Sequence, residues 1–194
     1  MDIKGKKAIV FGGTSGIGLA TCRELQGRGA NVVAVSRHPN KARNSVDGVR
    51  LSAVDARDSD AVNSFFEKEG KIDILISTAT GGSRAYGPFL TMDIDSFKGS
   101  FDKLWGYSNV VRYGTSKLRN DGCIILVSGT PARKMKPGQV ALSAVGGAVE
   151  ALARAIAPEI APKRINVVAP GIVDTPMLAL TGDDRVAQKI DEEA

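Results

Sequence analysis

Cysteine, histidine and aromatic side chains are all scarce in this chain of 194 residues, which has 2 Cys, 1 His and 5% Phe, Trp and Tyr together. So few cysteines exclude a disulfide scaffold. Cys22 falls in a helical pattern and Cys123 opens an apolar strand, so both read as reduced, buried thiols of a soluble, cytoplasmic chain. A secretory leader is not expected, because Met1 to Lys7 mixes charge and Ala8-Ile9-Val10-Phe11 runs straight into Gly12. No window approaches the roughly 20 apolar residues of a spanning helix, so no membrane segment is expected. Blocks of like charge are missing too. The 26 basic and 21 acidic residues leave +5, spread without a run that would make a nucleic-acid arm. No metal site is expected.

What is present is 43% hydrophobic residues, 24% charged residues and 22 glycines. At about 150 residues per domain this is one globular domain over residues 1–194, with a sizeable core. Short apolar runs alternate with longer stretches of helical period, the pattern of βαβ units around a parallel sheet. The runs Lys7–Phe11, Asn31–Val35, Val49–Val54, Ile72–Ser77, Cys123–Val127 and Ile165–Val168 read as strands. Helices are predicted at Gly16–Arg28, Ser59–Gly70, Asp95–Arg119 and Gly138–Ile160. The order is that of a doubly wound, three-layer α/β/α sheet. Two segments break the alternation, Thr80–Pro88 and Asp174-Thr175-Pro176 onward. Both follow C-terminal strand ends, where open α/β sheets bind ligands, and both read as walls of a substrate pocket.

Directly after the first strand stands Gly12-Gly13-Thr14-Ser15-Gly16-Ile17-Gly18, and then an amphipathic helix. A turn this tight needs residues free to take positive φ, and bare backbone lets a pyrophosphate rest against the N–H groups of the helix start. Gly12, Gly16 and Gly18 meet both needs. With Thr14, Ser15 and Ile17 they form a candidate dinucleotide cradle of the Rossmann type.

The G-x-x-x-G-x-G spacing resembles the short-chain dehydrogenase/reductase family, with Phe11 where that family usually has Thr. The likeness runs along almost the whole chain. Asp55-Ala56-Arg57-Asp58 looks like the family's D-V-T-D, whose Asp meets the adenine ring. Thr78, Ala79 and Thr80 fall in its N-N-A-G segment. Asn166 to Thr175 is a near-complete match to the P-G segment, which implies that Pro170, Gly171, Ile172 and Thr175 hold the nicotinamide amide and diphosphate.

An NAD site usually places an acid after the second strand, and none is there. Ser36 and Arg37 follow instead. Arg37 can fork onto a 2′-phosphate while Ser36 and Thr14 donate hydroxyls, so the reading favours NADP(H) over NAD(H). His38 caps this phosphate site or faces water.

The resemblance implies a Tyr proton donor, a Lys four residues on, a Ser about 13 residues before the Tyr and an Asn in the long helix. Aligned by the Cys123–Val127 strand, Leu142, Gly146, Gly129 and Lys103 stand at those four places. A literal Y-x-x-x-K, Tyr113 to Lys117, lies ten residues beyond Lys103, roughly 15 Å along a helix, and reads as coincidence. The candidate catalytic side chains are therefore Ser128 to polarise a carbonyl, Tyr86 as a donor at the pocket mouth, and Lys103 as a positive charge near the developing alkoxide. Arg133 and Lys134 are candidates for attracting an acidic substrate.

Three functions stay open. They are an NADP(H)-dependent oxidoreductase of a small carbonyl or alcohol with a non-standard proton donor, a cofactor-binding but catalytically silent protein, and an isomerase or lyase on the same scaffold. The resemblance implies pairing of long helices into a homodimer or homotetramer. It also implies a further helix near Asp183 and a seventh strand, which the sequence does not reach.

Overall fold

The computed structural model describes residues 2–39, 47–81 and 84–177. Six parallel strands form one sheet: β1 (Lys7–Phe11), β2 (Asn31–Ser36), β3 (Arg50–Ala53), β4 (Ile72–Ser77), β5 (Leu118–Val127) and β6 (Arg164–Val168). Their spatial order is β3-β2-β1-β4-β5-β6, so the chain reverses direction across the sheet between β1 and β4. That switch point opens a crevice at the C-terminal strand ends.

Helices cover both faces. Ala8 and Val10 of β1 pack with Cys22 and Leu25 of α1 (Gly16–Gly27), while Ile9 and Phe11 pack on the other side with Phe65 and Phe66 of α2 (Ser59–Glu69). Period-two alternation along a strand produces this division. Asp58 caps α2 by accepting from the backbone N–H groups of Asp60 and Ala61, and Gly70 closes it with φ +68°. The same face also carries α4 (Asp102–Thr115) and α5 (Val140–Ile160), whose Tyr107, Val110 and Val149 join the Ile9 cluster.

Two expectations are corrected. The single helix predicted over Asp95–Arg119 is two, α3 (Ile94–Ser100) and α4, which meet at Phe101, and β5 begins at Leu118. Leu118 is buried and pairs with Ile72, and the register shifts before Cys123 pairs with Ile74. Arg119, Asn120 and Asp121 are exposed between these two pairings, so no apolar alternation marks them as strand. The second correction concerns α5, which is long and apolar enough to cross a membrane by length and composition. Here it covers the sheet through Ala141, Val145, Val149 and Ala153. The residues from Asn40 to Arg43, and the helix expected near Asp183, lie outside the described residues.

Candidate functional site

The first turn is shaped by close approach. Gly12 has φ +78°, and a Cβ there would lie 2.5 Å from Thr78 Oγ1 and 2.8 Å from the Ala79 backbone nitrogen. Gly16 has φ +48°, and a Cβ on it would lie 3.2 Å from Thr175 Cγ2. Gly18 is helical rather than left-handed, contrary to the positive φ expected for it. A side chain there would run into the Gly12 carbonyl, so its role is to let α1 start against β1. The N-cap Ser15 makes no side-chain cap and the first turn carries no acid, which leaves the opening N–H groups of α1 facing the crevice.

A cleft of about 1360 Å³ runs from this turn across the switch point. Around the turn it is lined by Gly12, Thr14, Ser15, Gly16, Ile17 and Gly18, and beyond β2 by Ser36, Arg37 and His38. Asp55 and Ala56 line it after β3, and Thr78, Ala79 and Thr80 after β4. Pro170, Gly171, Ile172 and Thr175 close it after β6. Tyr86, Lys103, Ser128 and Lys134 stand on its wall as well, whereas Arg133, singled out beside Lys134, does not line it.

Two details at the β2–β3 end bear on what fits there. Ser36 Oγ is buried with no hydrogen-bond partner among the described residues. Asp55, by contrast, is fully engaged: Arg57 donates to it from its backbone N–H at 3.0 Å and from Nη2 at 2.8 Å. These bonds, the side-chain ones first, hold the Asp55 carboxyl below its ordinary range against the opposing effect of burial. Arg57 also donates to Asp102 Oδ2 at 3.0 Å, tying the β3 loop to the start of α4.

At the other end, Lys103 Nζ donates to the Ser128 carbonyl at 3.1 Å and lies 5.5 Å from the Tyr107 ring centroid. Burial, reinforced by the nearby Arg84 charge, pushes the Lys103 ammonium down to about 8. The Ser128 hydroxyl donates to Glu150 Oε1 at 3.0 Å, and Arg133 Nε donates to the same carboxylate at 3.2 Å. The Ser128 proton is therefore taken by Glu150. Lys103, Gly129, Leu142 and Gly146, the four tetrad places given by the resemblance, line one inner cavity of about 50 Å³ with Thr80 and Ser128. A Cβ on Gly146 would lie 2.9 Å from Ala132 Cβ.

Tyr86 is 56% exposed at the cleft mouth and does not line that inner cavity. Tyr113 packs against the core under the sheet, and Lys117 pairs with Glu67 at 2.9 Å just before β5, at the opposite edge from the cleft. Sequence reading missed Glu150 and Arg57. The one signal for Glu150 was an acid in the middle of the Ala- and Val-rich run Val140–Ile160.

The family profile described as short chain dehydrogenase matches residues 6–186. The chain is 30% identical to carbonyl reductase [NADPH] 2 of Sus scrofa, over 99% of this chain and 82% of the relative. It is also 30% identical to L-xylulose reductase of Mesocricetus auratus, over 91% and 75%. A short chain dehydrogenase from Burkholderia cenocepacia, solved in complex with NADP, superposes with a TM-score of 0.83 at 28% identity, covering 91% of this chain and 76% of that one.

Proposed function

The chain belongs to the short chain dehydrogenase family, and from that premise we propose that it is an NADP(H)-dependent oxidoreductase of a small carbonyl or alcohol, with Lys103 as its proton donor. Three features of the cleft suit a dinucleotide phosphate. They are a cradle without room for a Cβ at Gly12, an acid-free helix start, and the unpartnered buried hydroxyl of Ser36 beside Arg37. Gly12, Gly16 and Gly18 with Thr14, Ser15 and Ile17 would hold the pyrophosphate. Ser36 and Arg37 would take the 2′-phosphate, and no acid at the end of β2 repels it. Ala56 with Thr78, Ala79 and Thr80 would bound the adenosine, and Pro170, Gly171, Ile172 and Thr175 the nicotinamide end.

The bound cofactor supplies hydride. In reduction that hydride would go to the carbonyl carbon of the substrate, and the Lys103 ammonium would give its proton to the carbonyl oxygen as the C=O π pair moves onto it. Water then reprotonates the amine. Ser128 acts through Lys103, since its carbonyl anchors Nζ while its hydroxyl is fixed by Glu150. The observation that carries this reading is the Lys103 ammonium in the inner cavity, with one hydrogen bond among the described residues and two further N–H protons.

Fluorescence titration tests the cofactor assignment. Arg37→Ala should weaken NADPH about 10- to 100-fold, the 1.5–3 kcal/mol of a charge-assisted hydrogen bond, and leave NADH affinity within about twofold. Unchanged NADPH affinity would overturn it. Oxidation of NADPH by a panel of ketones and aldehydes tests the reaction. Tight binding with no turnover of any carbonyl would favour a silent binding protein.

A further inference from the structure

The cleft is lopsided in charge. Among the described residues Arg37, Arg84, Lys103, Lys134 and Lys136 line it, against one carboxylate, Asp55, which Arg57 already holds. Among the described residues, neither Arg84 nor Lys103, Lys134 or Lys136 has a carboxylate within 4.0 Å. Cofactor phosphates do not account for this surplus. Arg37 follows β2 and the Gly-rich turn follows β1, whereas Arg84 follows β4 and Lys134 and Lys136 follow β5. At about 4.8 Å per strand, β5 lies roughly 14 Å across the sheet from β2. The cations of this second half share one rim, because Gly87 N donates to the Gly138 carbonyl at 3.0 Å and holds the β4 loop against the β5 loop. Inside that rim Arg84 and Lys103 both line the inner cavity, whose described lining holds no acid, and among the described residues Arg84 Nη1 donates only to Met177 Sδ, at 2.8 Å.

Like charges lining one partly enclosed cavity make a focus for a negative group. We propose that the substrate is a small carbonyl compound bearing a carboxylate or phosphate, its charged group taken by Arg84, Lys134 and Lys136 and its carbonyl by Lys103. The assignment rests on the reductase reading above for the carbonyl alone; the anion site stands on the charge distribution. It also gives the rim a part in the chemistry. An anion bound there offsets the repulsion between Arg84 and Lys103 and so holds Lys103 protonated to higher pH. For charged substrates the alkaline limb of kcat, which reports the complex, should lie above that of kcat/KM, which reports the free protein.

Matched substrate pairs decide the question. Pyruvate is compared with methyl pyruvate, and dihydroxyacetone phosphate with dihydroxyacetone, each by NADPH oxidation at pH 7. The charged member of at least one pair should have a kcat/KM tenfold or more above its neutral partner. The pair that responds tells carboxylate from phosphate. Changing the two exposed lysines together, Lys134→Gln with Lys136→Gln, should cut that preference at least fivefold. Equal or better turnover of both neutral members overturns the proposal and leaves the reductase reading intact. If no carbonyl is reduced, that reading fails alone, and calorimetric titration of oxalate and of inorganic phosphate, with and without NADPH, decides the anion site. Binding that the double change weakens tenfold upholds it. No heat from either anion at millimolar concentration overturns it.

Discussion

Lys103 carries the opposing demands of stability and chemistry on one side chain. Its ammonium sits in the wall of the inner cavity, where burial and Arg84 both disfavour the charge, and one carbonyl is its hydrogen-bond acceptor among the described residues. A lysine whose pKa is about 8 when folded and 10.5 when unfolded binds less proton in the folded chain between those values. The unfolded state then holds the extra proton, so stability rises with pH across that window, and below about 8 the full cost is present. Lys103→Met should therefore stabilise the fold at pH 7, by an upper limit of about 3 kcal/mol from a shift of this size, and raise the melting temperature. The gain should shrink as pH climbs above 8. The same change should lower carbonyl reduction by about 10²- to 10⁴-fold while NADPH still binds. In the unchanged protein, reduction should fall as pH rises through about 8 and alcohol oxidation should rise, because the ammonium is the acid and the amine the base. Scanning calorimetry and a pH–rate profile check both halves. A variant that melts lower at pH 7 and keeps its reductase rate would remove Lys103 from the mechanism.

At the scale of elements, the start of α1 shows why a glycine spacing is readable while its physics is not. Gly12 and Gly16 need left-handed backbone, but Gly18 needs only the absence of a Cβ against the Gly12 carbonyl. Gly18→Ala should cost about 1–3 kcal/mol through overpacking and abolish NADPH binding by pushing α1 off β1. Gly27→Ala, at the far end of the same helix with open space around it, should instead gain about 0.5–1 kcal/mol. Thermal melts and fluorescence titration separate the two outcomes. Strands β1 and β4 were legible because every position from Ala8 to Phe11 and from Ile74 to Ile76 is buried, leaving short unbroken apolar runs. The first half of β5 was not, since Arg119 to Asp121 are exposed and lie in a register shift. The site divides the same way. Its backbone parts, the glycine turn and Pro170-Gly171, carry fixed local spacings. The Ser128–Glu150–Arg133 and Asp55–Arg57–Asp102 groups form where residues distant in sequence meet, and neither leaves a periodic mark.

For the molecule as a whole, the question left by the fold is what covers α5. Its 21 residues make a rod about 31 Å long, and mean hydropathy over its most apolar window is 1.5, yet only 33% of that window is buried in the subunit. Ala151 and Ala155 are exposed, and Gly147 would have nothing within 4 Å of an added Cβ, so a stripe of small residues lies open on the outer side, flanked by the exposed Arg154. Small side chains let a second helix approach closely, and a twofold pairing of α5 with its own copy would bury this side on both chains at once. Such a contact becomes stable when it grows towards the 1,200–2,000 Å² typical of specific interfaces, which calls for α4 alongside α5. These two helices pack on one another here. We expect a homodimer or homotetramer at micromolar concentration by sedimentation equilibrium, and a monomer for Ala151→Glu, which sets like charges face to face across the axis. Trp105 on α4, 62% exposed in the single subunit and the only Trp of the chain, reports the contact independently. Its emission should move to longer wavelength in Ala151→Glu if the partner covers it. A wild-type chain that sediments as a monomer across that range would show that α5 does not pair with itself.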